Sequence, residues 1–454
     1  MQRLELLPLV LDHQKFFQNP SDIISRYIPV FPCLDGSEIN VICGPLHAGK
    51  TSFLRQVADL VQCMKIYINF EDSRFKEMEP ESLQEIEEIA AEFYRKGSGD
   101  EEGFENEDKS YEERPAGPTC YFLDEIQNFS GWEDWIDRLQ CGGAKVFITS
   151  SSSSLMTQDI SSRFSNRIRT LRLLPFSFKE YLILNGLMVP RPNFLTPSRC
   201  DEMLCLFLRY FETGGFPEVI SNGDFRLSRQ FFEEILRKEI IARHNIQDPD
   251  GLKNLAVFLI SNMASEYCMD TLKKVSGINS ENTISNYLDY LEEAFLLFRV
   301  PMFNHGFEKS ENGRENENGK EVPYKVYAGD TGFFKSVFPN YPDSLGLRFE
   351  NIVFLELLRK GKEISYFRGK RECDFLICEK DSQTVTTAVQ VSVCFGGSAV
   401  REREVLGLME AMEEFGLKEG LILTMDDEGV MEIDGKDGEK KRIVINSVWK
   451  WMLE

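Results

Sequence analysis

A chain of 454 residues is too long for one hydrophobic core, and 42% hydrophobic residues with 35 Phe exclude global disorder, so several packed domains are expected. A formal net charge of −22 argues against coating nucleic acid or an anionic membrane by bulk electrostatics, although it is compatible with a local basic patch. The 11 cysteines lack a C-x-x-C pair and stand beside only 4 His, which predicts reduced, mainly buried thiols rather than a disulfide framework or a structural zinc site.

The N-terminus, M-Q-R-L-E-L-L-P-L-V-L-D, has neither a basic n-region nor a long apolar run, and no later window reaches the length of a membrane span; the chain reads as cytosolic, without a membrane partner. Residues 1 to about 38 read as an arm, helical around Ser21 to Tyr27. The apolar run Ile39 to Cys43 then predicts a strand, G-P-L-H-A-G-K-T follows from Gly44 to Thr51, and an amphipathic run begins at Ser52. That strand-loop-helix context gives the G-x-x-x-x-G-K-T spacing its meaning as a phosphate cradle. Gly44 and Gly49 allow positive φ angles and close backbone approach, so that successive N–H groups converge on one concavity at a helix N-terminus. Lys50 supplies charge for the β and γ phosphates and Thr51 a hydroxyl for Mg²⁺. Gly44, Pro45, His47, Ala48, Gly49, Lys50, Thr51 and Ser52 are therefore the candidate ATP-binding residues.

Lys65 to Phe70 predicts a second parallel strand reached by a helical crossover. From about 76 to 118 an acidic insert intervenes: a helix, Glu81 to Tyr94, then a Gly-, Ser- and acid-rich run that cannot bury a core and reads as a solvated loop. Cys120 to Glu125 is an apolar strand ending in two carboxylates. Asp124 is placed to hold Mg²⁺ and Glu125 to polarise the attacking water. After a helix from Trp132 to Leu139, the strand Lys145 to Ser150 runs into the serines Ser150 to Ser154, one of which could sense a γ-phosphate; the pattern does not choose among them. Arg163, Arg167, Arg169 and Arg172 are concentrated just beyond, in an otherwise acidic chain, and at least one could be an arginine finger.

The P-loop, the L-D-E-I-Q box (Leu123 to Gln127) and N-R-I-R-T-L-R-L-L-P-F-S-F-K-E-Y-L (Asn166 to Leu182) together resemble prokaryotic AAA+-type ATPases that carry a C-terminal nuclease-like domain of unknown function. The resemblance continues, in order, through G-G-F-P-E-V-I (Gly214 to Ile220), Y-K-V-Y-A-G-D-T-G-F-F (Tyr324 to Phe334) and L-R-F-E-N-I-V-F-L-E-L (Leu347 to Leu357). It implies an ATPase of ATP and Mg²⁺, and it singles out Arg167 as the catalytic arginine, eight residues before the P-F-S-F box. Members often carry Arg within the P-loop, where this chain has Leu46-His47.

Asn185 to about Asn262 is helical in pattern and contains no nameable chemistry. Asp270 to Val300 has the rhythm of a helix-turn-helix: Gly277 at the turn, Ser280 or Asn282 as cap, and Ile284, Tyr287, Leu288 and Leu291 on one face. Phe295 to Val300 and Lys325 to Ala328, separated by the polar tip Glu308 to Glu321, would make a wing. Lys273, Lys274, Asn279, Asn282, Ser285 and Asn286 could reach DNA, but Asp289, Glu292 and Glu293 share the helix, so DNA as a partner is left open. The last stretch looks like a restriction-endonuclease fold. Glu350 falls on a helix and Asp374 in a strand, but Gln390 and Ser392 stand where that pattern wants an acidic metal ligand and a lysine, which predicts an inactive nuclease-like domain.

The expected fold class is thus α/β. A P-loop NTPase parallel-sheet domain (1–184) precedes a helical region with a winged helix (185–340) and a restriction-endonuclease-like α/β domain (341–454). The expected activity is Mg²⁺-dependent ATP hydrolysis, with a homo-oligomer open and an ATP-gated DNA-binding regulator or an active nuclease as the rival readings.

Overall fold

A computed structural model describes residues 3–19, 25–30, 34, 36, 38–75, 78, 82–96, 118–156, 158–164, 167–303, 323–337, 345–379, 382, 384–436 and 438–454. The Gly- and acid-rich run 97–117, the tip Glu308 to Glu321 and most of the helix expected near Ser21 lie outside them. The chain divides into two compact units, Met1–Leu173 and Leu174–Glu454.

The first unit runs α1 (Arg3–Gln18), β1 (Ile39–Cys43), α2 (Lys50–Leu60), β2 (Lys65–Asn69), α3 (Ser82–Lys96), β3 (Cys120–Asp124), α4 (Trp132–Cys141), β4 (Lys145–Ser150), α5 (Gln158–Arg163) and β5 (Ile168–Arg172). The strands β1 and β3 are buried along their whole length and apolar apart from Asn40 and the terminal Asp124, as expected of a parallel sheet covered on both faces. All five strands are parallel, in the order β2-β3-β4-β1-β5. Every strand therefore ends at the same edge, with β4 between the strand that leads into the P-loop and the strand that ends in the acidic pair. On one face Phe53, Leu54 and Val57 of α2 pack with Ile42, Tyr67, Phe122 and Phe147.

Helix α1 is absent from the sequence expectation, which placed helix instead around Ser21 to Tyr27; residues 25–28 are not helical. Pro8 inside α1 masks it, since a proline removes an interior hydrogen bond. Leu6, Leu9, Val10 and Phe17 are buried, Phe17 stacking on Tyr67 at 4.3 Å between ring centroids. Gln14 pairs with the backbone of the edge strand β2, donating to the Tyr67 carbonyl at 2.6 Å and accepting from its N–H at 3.2 Å.

The thiol expectation is corrected as well. Cys63 and Cys120, 57 residues apart, form a disulfide with their Cα atoms 6.2 Å apart, because β3 brings Cys120 beside the turn that follows α2. Of the free cysteines, Cys43 and Cys373 are buried whereas Cys141, Cys205, Cys268 and Cys394 are exposed.

The second unit begins with helices: α6 (Phe178–Leu184), α7 (Pro197–Thr213), α8 (Pro217–Asn222), α9 (Arg226–Ile235) and α10 (Pro249–Ser261). A capping box of Ser177 and Glu180 starts α6. Then come β6 (Ser265–Glu266), α11 (Met269–Ser276), α12 (Glu281–Glu293), β7 (Leu297–Pro301) and β8 (Tyr324–Ala328). Gly277, at φ 75°, ends α11, and Ser280 caps α12 by accepting from the Thr283 N–H. Ile284, Tyr287, Leu288 and Leu291 are all buried, as their spacing predicts. Strands β6, β8 and β7 form an antiparallel three-stranded sheet.

The chain ends with α13 (Gly332–Val337), α14 (Leu345–Arg359), β9 (Glu363–Arg368), β10 (Glu372–Cys378), β11 (Val385–Ser392), α15 (Ser398–Glu414), β12 (Glu419–Thr424), β13 (Gly429–Asp434), β14 (Lys440–Ser447) and α16 (Val448–Leu453). Its six strands make a mixed sheet in the order β13-β14-β12-β11-β10-β9. A buried carboxylate, Asp330, locks the helical part to the segment after β8 by accepting from the Gly215 N–H at 2.7 Å and the Gly332 N–H at 2.8 Å. Among the described residues no helix is long and apolar enough to cross a membrane.

Candidate nucleotide site

The P-loop leaves β1 at Gly44, where the backbone of Leu173 passes so close that any Cβ would overlap its carbonyl oxygen. Close approach, not a positive φ, is what Gly44 provides. The left-handed turn belongs to Gly49 at φ 87°, the N-cap of α2, and to His47 at φ 64°. Between them Ala48 is fully buried and its N–H bonds the Pro45 carbonyl at 3.2 Å. Helix α2 then opens with Lys50, Thr51 and Ser52, so that its N-terminus faces the loop.

The Lys50 ammonium donates to the carbonyls of Gly44 and Pro45, both at 3.1 Å, and lies 2.9 Å from Glu125 Oε1. The Thr51 hydroxyl donates to Asp124 Oδ2 at 2.5 Å. Groups 73 residues apart in the chain thus meet at one sheet edge, as the two motifs required. Thr51 and Asp124 present adjacent hard oxygen donors, which suit Mg²⁺ held partly by water. The sequence-predicted residues fit that ion.

Other residues complete the arrangement. Thr149, at the end of β4, donates to Asp124 Oδ1 through its hydroxyl, and the same hydroxyl accepts from the Glu125 N–H at 3.0 Å. Tyr67 OH donates to Asp124 Oδ2 at 3.1 Å. Gln127 donates to Glu125 Oε2 at 2.5 Å and to Ser151 Oγ at 3.1 Å, and the Ser151 N–H reaches Glu125 Oε2 at 2.9 Å. Arg26, buried in the arm, donates to the Ala48 carbonyl at 2.7 Å.

Thr149 was detectable as the residue before the serine run at a strand end, and Gln127 lies inside the L-D-E-I-Q box. Tyr67 and Arg26 have no local signal; only the fold brings them in.

Burial pushes the Asp124 carboxyl above its ordinary range and the neighbouring Glu125 charge adds to this, against hydrogen bonds from Thr149 and Thr51 and the charge of Lys50. Burial pushes Glu125 upward too. There the Lys50 charge and hydrogen bonds from Gln127, Lys50 and Ser151 outweigh it and hold Glu125 below its ordinary range. Two adjacent buried carboxylates are therefore driven in opposite directions, with Glu125 the one kept ionised as a base requires.

Arg167 is not brought to this site. It precedes β5, which runs parallel to β1 with Ile168 opposite Ile39, so it sits at the edge where the strands begin. The five residues of β1 separate that edge from the P-loop, roughly 16 Å at strand rise. Its guanidinium pairs instead with Asp137 at 2.7 Å, half exposed. Arg172, at the other end of β5, is opposite Cys43 and is the arginine of the cluster that reaches the nucleotide-site edge.

Comparison with known proteins finds similarities along the chain. Residues 36–182 match the model of the AAA domain, and residues 205–344 match a domain of unknown function. An uncharacterized protein of Methanocaldococcus jannaschii is 28% identical over 462 residues, covering 98% of this chain and 94% of that protein. An uncharacterized protein of Haemophilus influenzae is 26% identical over 362 residues, covering 76% and 81%. Among solved structures, the Walker-type ATPase of Pyrococcus abyssi overlaps with a TM-score of 0.39 at 13% identity, covering 74% of this chain and 95% of that one. The RuvB Holliday junction branch migration motor of Thermotoga maritima overlaps with a TM-score of 0.28 at 16% identity, covering 66% and 89%. The domain match and the phosphate-loop geometry agree on the coarser statement that residues 36–182 carry an AAA-type P-loop domain, and they support an ATPase of that type.

Proposed function

We propose that the chain is a Mg²⁺-dependent ATPase whose nucleotide state is coupled to the second unit. The observation that carries this reading is the contact of Thr51 with Asp124 beside the Lys50–Glu125 ion pair. In this reading ATP lies in the concavity of Gly44 to Ser52, with Lys50 released from Glu125 to neutralise phosphate charge. Thr51 and Asp124 would hold the Mg²⁺, which supplies charge neutralisation when bound. Glu125, once free of Lys50, orients and deprotonates the attacking water, and Gln127 and Ser151 fix the carboxylate's direction. In the second unit, α11, α12 and β6–β8 act as a winged helix and residues 341–454 as a nuclease-like module; a cytosolic location belongs to the same proposal.

The test is nucleotide binding and turnover by Lys50→Ala. Binding or turnover should be lost, and a variant as fast as the parent would remove the site assignment.

A second reading, an ATP-gated DNA binder with little hydrolysis, is favoured by the exposure of Lys274, Asn279, Asn282 and Asn286 along one helix-turn-helix. Lys273 weakens it, since its ammonium pairs with Glu281 at 2.5 Å. A mobility shift that weakens with salt and is lost in Lys273→Ala/Lys274→Ala would support it; no shift and no stimulation of ATPase rate by DNA would end it.

A further inference from the structure

The second unit contains a buried charge cluster that the nucleotide site does not account for, built around Lys325 and the sequence-predicted carboxylates Glu350 and Asp374. Lys325, on β8, is 2% exposed, and its ammonium lies 2.6 Å from Glu372 Oε1, 2.9 Å from Glu350 Oε1 and 3.8 Å from Asp374 Oδ1. Tyr327 OH also donates to Glu350 Oε1, at 2.7 Å, and the Val391 N–H donates to Asp374 Oδ2 at 2.8 Å. Glu350 and Asp374 are the two carboxylates that a restriction-endonuclease fold would use to hold a divalent metal.

The residues present do not fit such an ion. An ammonium at hydrogen-bond distance from two carboxylates, and near a third, fills the space between them. A dication held by the same oxygens would have to lie at about 2 to 2.5 Å from each, within a few ångströms of a positive charge that has no solvent to retreat into. The neighbouring positions are no better. Gln390 supplies an amide where an acid is needed, and its Nε2 is committed to Glu404 at 2.6 Å. Ser392 donates to the Cys394 carbonyl at 3.1 Å.

We infer that Lys325 is the resident cation of this cluster, standing where a nuclease-type site would hold its metal, and that it excludes divalent ions from Glu350, Glu372 and Asp374. Lys325 comes from the three-stranded sheet, whereas Glu372 and Asp374 come from the six-stranded one and Glu350 from α14. The ammonium therefore joins three elements in the manner of a structural metal, and it needs no ion from solution.

The experiment is Mn²⁺ binding to the full chain without nucleotide, read by the loss of the free-ion electron paramagnetic resonance signal. The parent is compared with Asp374→Asn, Lys325→Met and Lys325→Met/Asp374→Asn. The expected result is no Mn²⁺ uptake by the parent that Asp374→Asn removes, and a gain of about one Mn²⁺ per chain in Lys325→Met, at least about tenfold tighter than any parent binding and lost in the double variant. Parent uptake that disappears in Asp374→Asn would overturn the inference, as would a folded Lys325→Met that takes up none. If Lys325→Met folds only with Mn²⁺ present the inference is supported; if it does not fold at all, the comparison of parent with Asp374→Asn decides alone.

Discussion

Glu125 adopts φ 51°, the left-handed region that a residue with a side chain enters only when its surroundings compel it. Here the compulsion is visible: its N–H is held by Thr149 and its carboxylate by Lys50, Gln127 and Ser151. Replacement of the base alone, Glu125→Gln, keeps the shape of this network, so ATP should still bind while turnover falls by about 10²- to 10⁴-fold. Normal turnover would deny Glu125 its role. Thr149→Val is the complementary change. It leaves the Glu125 N–H and Asp124 Oδ1 each without a buried partner, and should destabilise the first unit by about 1 to 3 kcal/mol in urea titrations while lowering the ATPase rate. Lys50, Thr51, Asp124 and Glu125 were legible because phosphate and Mg²⁺ chemistry admits few residue types at a fixed spacing. Tyr67 and Arg26 were not, since a hydroxyl in an apolar strand or an arginine in an irregular arm gains meaning only from what the fold places opposite it.

At the scale of elements, the strands and most helices of the first unit could be read from apolar runs bounded by turns, and the heptad-like spacing of Ile284 to Leu291 set the buried face of α12. Helix α1 could not, because Pro8 contradicts the local rule and tertiary packing overrides it. The Gly214–Gly215 segment shows a different limit. Gly214 is explained by Asp330, 115 residues away from Gly215, whose carboxylate would collide with a Cβ at Gly214, and Gly215 by the Phe176 backbone, whose carbonyl oxygen a Cβ there would meet. Gly214→Ala, also strained at φ 77°, should lower stability by more than about 1 kcal/mol.

Burial pushes Asp330 from the ordinary 3.8 up to about 6, against hydrogen bonds from the Gly215 and Gly332 N–H groups. The folded chain then keeps a proton that the unfolded chain has released. Asp330 thus contributes stability that is complete below about pH 4 and is lost as pH rises through about 6, a difference of about 3 kcal/mol. Unfolding free energies measured across this window should show the decline in the parent and not in Asp330→Asn; equal slopes would contradict it.

For the whole molecule, the division after Leu173 puts the P-F-S-F box with the second unit, where Phe176 bonds Gly215 through its N–H at 2.7 Å and accepts from Tyr210 OH at 2.8 Å. Sequence order suggested the opposite side, because the box follows directly on β5. Arg167 belongs at this scale too. At the wrong edge of its own sheet, it can serve catalysis only at the site of another copy. If it does, mixing Arg167→Ala with Lys50→Ala protein should restore part of the ATPase activity that each lacks alone, and a mixture no more active than its components would exclude the shared site.

The pairing of Gln14 with β2 has a consequence for the life of the chain before and after folding. A side-chain amide occupies the hydrogen-bonding groups of Tyr67 that a sixth strand would otherwise take. Without residues 3–19 that border would be open to recruitment by a strand of another molecule, and self-association visible by light scattering should follow. By covering those groups the leading helix blunts an edge strand, a structural contribution separate from the nucleotide chemistry.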